Sequence, residues 1–306
     1  MAVRAGRVDA RPAPGRWASE WLGDLRWLGL LARRKIALVG AVVMLVIVVL
    51  GLLGPLVAGN PTHMNVAARL APPSGAHWFG TDDVGRDVFS GVIHGARLSL
   101  LVGAAVVAFS FIVGVFSGLA AGYFRRLDNA VMRVMDGLMA FPAIILAIAL
   151  MASLGPSVAN VIVAIGVVNT PRVARVVRGS VLVVRETAYV EAARALGASD
   201  LTLIGRHVLP NCLSPVIVQA TFVFAAAVLT EAALSFLGVG VPPFVPSWGN
   251  ILSDGRLYLR QAPWLVLYPG AAIMLTIFGL NMFGDGLRDL LDPKIRGLQT
   301  ERQRAA

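Results

Sequence analysis

YVEAARALGASDLTLIGRHVLPN, residues 189–211, is a polar, helix-forming passage lying between two of the most apolar segments of a very apolar chain. It carries Glu191, Arg194, Asp200, Arg206 and His207, and a glycine near its middle. Glu186 to Leu196 reads as a helix: good formers, acidic residues early, then Gly197 just past the end as a C-terminal cap. Ser199 or Asp200 then caps a second short helix, which is expected to end before Pro210. Tyr189, Ala193 and Leu196 fall near one face at i, i+4 and i+7, and Ala192 beside them keeps the backbone approachable. A short helix with small side chains suits insertion into a groove on a partner protein. An ordinary hairpin of interfacial helices has the same spacing, so spacing alone leaves both readings open.

The rest of the chain says what this passage is embedded in. Of 306 residues 57% are hydrophobic and only 14% charged, with a mean hydropathy of +0.75. Soluble domains run near a quarter charged, so the solvent implied here is a bilayer. Six windows are long and apolar enough to cross roughly 30 Å of hydrocarbon, which takes about 20 residues. They run approximately over residues 36–58, 98–124, 131–154, 158–177, 213–239 and 264–283. The fourth is the weakest, interrupted by Asn160, Asn169 and Pro171. An all-α polytopic membrane protein with six transmembrane helices follows. Its parts are a basic N-terminal segment (1–35), a transmembrane domain (36–287) containing the 186–211 loop, and a tail (288–306).

Basic residues sort strongly by segment. Residues 1–35 hold eight, the 125–133 loop three, the 172–206 loop six and the tail after 287 five, leaving five for the other two loops. By the positive-inside rule both termini and the 189–211 passage are cytoplasmic. The net charge of +10 is thereby explained without nucleic acid. Within the N-terminal segment, Trp17, Trp21, Leu25 and Leu28 recur at helical spacing beside Arg26, Arg33 and Arg34, the pattern of an interfacial helix on membrane lipid. Residues 1–15, rich in Arg, Ala, Pro and Gly, read as disordered.

Asp82, Asp83, Arg86 and Asp87 cluster in the long loop before the second window, near His63, His77 and His94. The cluster lacks metal-ligand spacing, and Gly80, Thr81 and Gly85 mark turns, so Arg86 and Asp87 are expected to cap or brace the helix that follows. Gly114, Gly118 and Gly122, four apart, predict a close helix contact in lipid. Glu231 lies inside the fifth window, with Asp136 and Asp285 near window ends. An ionisable group at depth is a functional candidate by default, but Glu231 has no basic partner nearby in sequence. A structural hydrogen bond or a subunit contact is the better reading.

Enzymatic signatures are missing. No GxxxxGK[ST] phosphate loop occurs, and neither Lys35 nor Lys294 sits where one would need it. There is no HExxH, GxSxG or CxxC. Cys212 is alone, so neither an intrachain disulfide nor a cysteine metal cluster can form. No cofactor, metal or catalytic residue is expected in this chain. A secondary transporter or channel would need intramembrane ion sites or repeats, and a membrane-embedded enzyme would need convergent polar groups at depth. The sparse charge supports neither.

Glu191-Ala192-Ala193, then Gly197, then Leu209-Pro210 resembles the EAA loop of bacterial ABC importer permeases. His207 departs from the general pattern, where isoleucine is usual two residues before the leucine, yet RHVLPN (206–211) is similar to the form in the peptide/nickel branch. FGTDDVGRDVFSGVIHGARLSL (79–100), EAALSFLGVGVPPFVPSWGNIL (231–252) and LDPKIR (291–296) resemble further segments of that branch. The likeness covers roughly residues 30–296 and is to the C-type permease of dipeptide or oligopeptide importers. It implies the type I importer permease fold, with five core helices plus an N-terminal one. It further implies a B-type permease partner in a heterodimer, and one or two ABC ATPase subunits carrying ATP and Mg. An extracytoplasmic binding protein would deliver dipeptides, longer peptides, glutathione or nickel complexes. The ATPase-coupling residues it implies are Tyr189, Glu191, Ala192, Ala193, Leu196, Gly197, Leu209 and Pro210.

Overall fold

The computed structural model of the chain describes residues 35–291. Of the interfacial helix expected over 16–35, residues 16–34 lie outside the described residues, as do the segment 1–15 and the tail from 292. In chain order the helices are α1 (Lys35–Val57), α2 (Val88–Tyr123), α3 (Arg125–Met139), α4 (Ala143–Leu154), α5 (Val158–Arg185), α6 (Ala188–Ala195), α7 (Asp200–Phe236), α8 (Trp248–Gly255) and α9 (Trp264–Leu291). Single 3-10 turns lie at Val66–Ala68 and Arg256–Tyr258. Among the described residues extended pairing is limited to one isolated bridge, Thr81 with Asp87, so the fold is all-α.

Five helices, α1, α2, α5, α7 and α9, are long and apolar enough to span a bilayer. The 131–154 window, expected as one span, is instead two helices that meet at 90°. The cause is local. Pro142 has no N–H to donate and disfavours helical geometry at Phe141, while α3 is amphipathic and α4 (AIILAIALMASL) is wholly apolar. Counting that bent pair as one span gives six. The window judged weakest from its polar residues, α5, is the most enclosed, 56% of its apolar window lying inside the bundle. Asn169 and Thr170 donate to the carbonyls of Ile165 and Gly166 at 2.9 and 2.8 Å, so they enter the interior with their hydrogen bonds made.

The central contact is the seam between α2 and α5. A Cβ built on Gly114, Gly118 or Gly122 would lie 2.7 Å from the Cβ of Val173, Val177 or Val181 respectively. Three fully buried valines, four residues apart, thus fill the stripe that three glycines leave bare. Dispersion at this backbone approach is what holds helices together where lipid removes the hydrophobic drive. Both series rise together, so α2 and α5 run parallel, and α4 carries the chain back between them.

α7 lies antiparallel on α2. Glu231 is completely buried there and accepts from Ser99 of α2 at 3.4 Å and from Ser235 one turn along at 2.9 Å. The Ser235 oxygen accepts in turn from the Val241 amide. Glu231 therefore fastens α7 to α2, the structural reading expected for it. α1 packs against α9, where Gly286 meets Ala37 and Gly40 meets Phe283.

At the N-terminal end of α2, residues 59–87 and 238–263 form a cap. Asp87 caps α2 by accepting from the Ser90 amide at 2.8 Å and pairs with His77 at 3.0 Å. Asp82 accepts from the Val84 and Arg86 amides and from the Arg86 side chain, and Arg86 reaches Asp254 at 3.3 Å. This is the capping and bracing that turn chemistry predicted. Trp248 is buried and donates Nε1 to the Val92 carbonyl at 2.8 Å, while Phe79 stacks on Tyr268 at 3.9 Å. The first and last described residues, joined through Ala37, Leu290 and the bond from Ser214 to the Leu291 carbonyl, lie at the opposite end with the 186–211 loop.

Candidate functional site: the 186–211 loop

The loop begins where α5 ends at Arg185 and returns into the bundle as α7. α6 is two turns long, with Thr187 at its N-cap and Val190 as its buried contact. Its helix stops where expected. Gly197 adopts φ +85°, the left-handed conformation that a C-terminal cap needs and that glycine takes without steric cost. The Gly197 amide donates to the Arg194 carbonyl and the Ala198 amide to the Ala193 carbonyl, at 3.0 and 3.1 Å, which closes the last turn. Of the two capping candidates, Ser199 accepts from the Thr202 amide. Asp200 is engaged elsewhere.

The second helix does not end before Pro210. It continues unbroken as α7, through a π-helical turn over Leu203–Val208 in which the Leu209 amide bonds back to the Ile204 carbonyl. Widening the turn by one residue accommodates a proline ring and its missing donor without breaking the helix. Leu209 and Pro210 are half-buried in α7 and lie outside α6.

The remaining six coupling candidates do gather. Glu191, Ala192, Leu196 and Gly197 are exposed, and Tyr189 and Ala193 half-exposed, with the Tyr189 ring 6.3 Å from that of His207. Leu196 is 89% exposed and Leu201, just beyond the glycine turn, 83%. Two bare leucines thus flank the glycine turn at the C-terminal end of a helix of small side chains. Leu201 lies outside the helix whose face the i, i+4, i+7 spacing picks out, so that spacing does not mark it.

Polar contacts mount this surface on the bundle. Tyr123, the last residue of α2, donates its hydroxyl to Asp200 Oδ1 at 2.6 Å, and Arg194 places its guanidinium carbon 6.0 Å from the centroid of the Tyr123 ring. Arg185 Nη1 donates to the Gly122 carbonyl at 2.7 Å and its Nε to Glu186 at 3.0 Å. On the neighbouring face Arg178 grips Asp128 through two bonds of 2.5 and 2.6 Å, and Arg175 reaches Asp136 at 2.7 Å. Asp136, an ionisable candidate from its position near a window end, thus pairs with α5, whereas Asp285 stays exposed on α9. Nothing local marks Tyr123 or Arg185 in the sequence. Asp200 is 77 residues from Tyr123, and Gly122 63 from Arg185.

Residues 110–297 match the family described as the inner membrane component of binding-protein-dependent transport systems. Residues 28–73 match the N-terminal transmembrane domain of oligopeptide transport permease C. The chain is 46% identical over 268 residues to the dipeptide transport system permease protein of Alkalihalophilus pseudofirmus, covering 87% of this chain and 88% of that one. It is 44% identical over 273 residues to the di/tripeptide transport system permease protein of Pseudomonas aeruginosa, covering 87% and 90%. Among solved structures, an inward-facing methionine ABC transporter aligns with a TM-score of 0.56 over 66% of this chain and 96% of that one. At 20% identity it speaks for the fold alone.

Proposed function

The chain belongs to the inner membrane components of binding-protein-dependent transport systems, in their peptide branch, and from that premise we propose that it forms half of the pathway by which an ATP-driven importer takes up dipeptides or oligopeptides. It is a multi-pass permease subunit of the bacterial inner membrane. The second half of the pathway is a B-type permease, with which it pairs as a heterodimer. ATP and Mg are bound by one or two ATPase subunits beneath the pair, and an extracytoplasmic protein delivers the solute.

The observation that carries this reading is the construction of α6. It is short, exposed, lined with small residues and followed by a glycine turn with the bare Leu196 and Leu201 on either side of it. Together with the charge asymmetry, this supports a cytoplasmic loop that inserts into a cleft of an ATPase. Ala192 and Ala193 let the partner's backbone approach, Glu191 holds a polar contact at the rim, and Gly197 makes the turn that presents both leucines. Closure of the ATPase dimer on ATP shifts α6, and the spans rock between inward-open and outward-open arrangements. The nucleotide biases one of two states through its differential contacts with them.

Gly197→Val forces a β-branched residue into a left-handed backbone, and Ala193→Asp places a charge against the cleft. Both are expected to abolish solute uptake in proteoliposomes while the protein remains inserted and paired. Uptake that survived both would refute docking through α6. Uptake driven by a proton gradient with no ATPase present would favour a secondary transporter instead.

A further inference from the structure

Three residues bracketing α6 converge on the last two residues of α2. Arg185, before α6, holds the Gly122 carbonyl; Arg194, within it, covers the Tyr123 ring; Asp200, after it, takes the Tyr123 hydroxyl. The glycine turn of the loop is therefore gripped from both sides by a single side chain of a different helix.

The two bodies joined there differ in stiffness. A helix of eight residues is marginal by itself in water, and α6 buries one residue, Val190. Its position is set by its tethers. α2 runs for 36 residues, about 54 Å at 1.5 Å per residue. It is locked along that length by the glycine–valine seam, and its far end carries the cap through Asp87 and through the bond from Trp248 to Val92. A compliant helix and the glycine turn after it thus meet one end of a rigid rod at a joint in which the aromatic face holds α6 through Arg194 and the hydroxyl holds Asp200, the residue on the far side of the turn.

We infer that Tyr123 is the positioning residue that ties α6 to α2, so that a displacement of α6 travels along α2 to the cap. The inference rests on the proposed docking of α6 on an ATPase. It assigns Tyr123 a role in transmitting the movement and none in receiving it, since Tyr123 belongs to α2 and not to the loop that docks.

The test uses the complete transporter, with both permeases, ATPases and binding protein, in lipid nanodiscs. Spin labels at Ala195→Cys and Phe116→Cys, both exposed positions, report the separation of α6 from α2; the native Cys212 is buried. With Tyr123 present, the separation is the same in nucleotide-free and ATP–vanadate-trapped complexes. In Tyr123→Phe, which keeps the ring and loses the bond to Asp200, it differs between the two states, with the melting temperature unchanged. In proteoliposomes, ATP consumed per radiolabelled dialanine imported rises roughly tenfold, the scale of losing one hydrogen bond to a charged group. Asp200→Ala gives the same rise, and the double variant no more, because both cut one linkage.

A separation that stays fixed in Tyr123→Phe overturns the inference, as do additive effects in the double variant. So does a lowered melting temperature with an unchanged ATP ratio, which assigns Tyr123 to packing. Failure of docking itself reads differently. A Leu196→Cys probe in the otherwise unsubstituted chain then forms no cross-link to the ATPase, and both readings fall together.

Discussion

The two ends of α2 are built in opposite ways. At the cap, the helix start is held by a buried indole, a side-chain cap, an aromatic stack and a threaded set of ion pairs. At the other end, the last residues of α2 are joined to the 186–211 loop by a few polar contacts, and two of the loop's leucines, Leu196 and Leu201, are bare. Buried apolar contact resists displacement in every direction, whereas a hydrogen bond constrains one direction and can be made and remade. The cap is constructed to keep its shape, and under the proposed docking the loop is the part that another molecule completes and moves.

Substitutions at graded positions sharpen the contrast. Trp248→Ala removes a buried indole and its hydrogen bond to the Val92 carbonyl. We expect a loss of about 3–5 kcal/mol, seen as a large fall in the melting temperature of the purified complex. Gly118→Val drives a side chain against Val177 Cβ and the Ala174 carbonyl, which a Cβ would meet at 2.7 and 2.6 Å. Overpacking of this kind costs about 1–3 kcal/mol, sometimes more, and should show as poor monodispersity in detergent. Asp87→Ala deletes the α2 cap, worth about 1 kcal/mol, with a correspondingly small thermal shift. Leu196→Ser belongs at the bottom of the stability scale, within about 0.5 kcal/mol of the parent, yet it should lose most binding-protein-stimulated ATP hydrolysis. If Leu196→Ser destabilised the protein as Trp248→Ala does, the loop would be core and the contrast false.

Legibility in the sequence follows the range of the interaction. The glycine stripe of α2, the Gly197 cap and the Asp87 cap were readable because each depends on spacing within a few residues. The 90° break at Phe141–Pro142 was missed because a hydropathy window averages the amphipathic α3 with the apolar α4 and hides the proline between them. Continuation through Pro210 was missed because proline usually stops a helix, and a π turn that accommodates it leaves no mark in composition. The mounting of the loop on Tyr123 could not be read at all, since its partners are dozens of residues apart and become neighbours through the α2–α5 seam.

Glu231 bears on how the protein is made. Synthesis delivers α2 long before α7, and α7 entering hydrocarbon alone would carry a carboxyl group whose donor on another helix, Ser99, is on α2. A polar group left bare in lipid is costly, so α7 gains its resting place when it meets an α2 that is already there. Biogenesis then has a preferred sequence of events: the earlier helix waits, and the later one recognises it by a single acidic side chain.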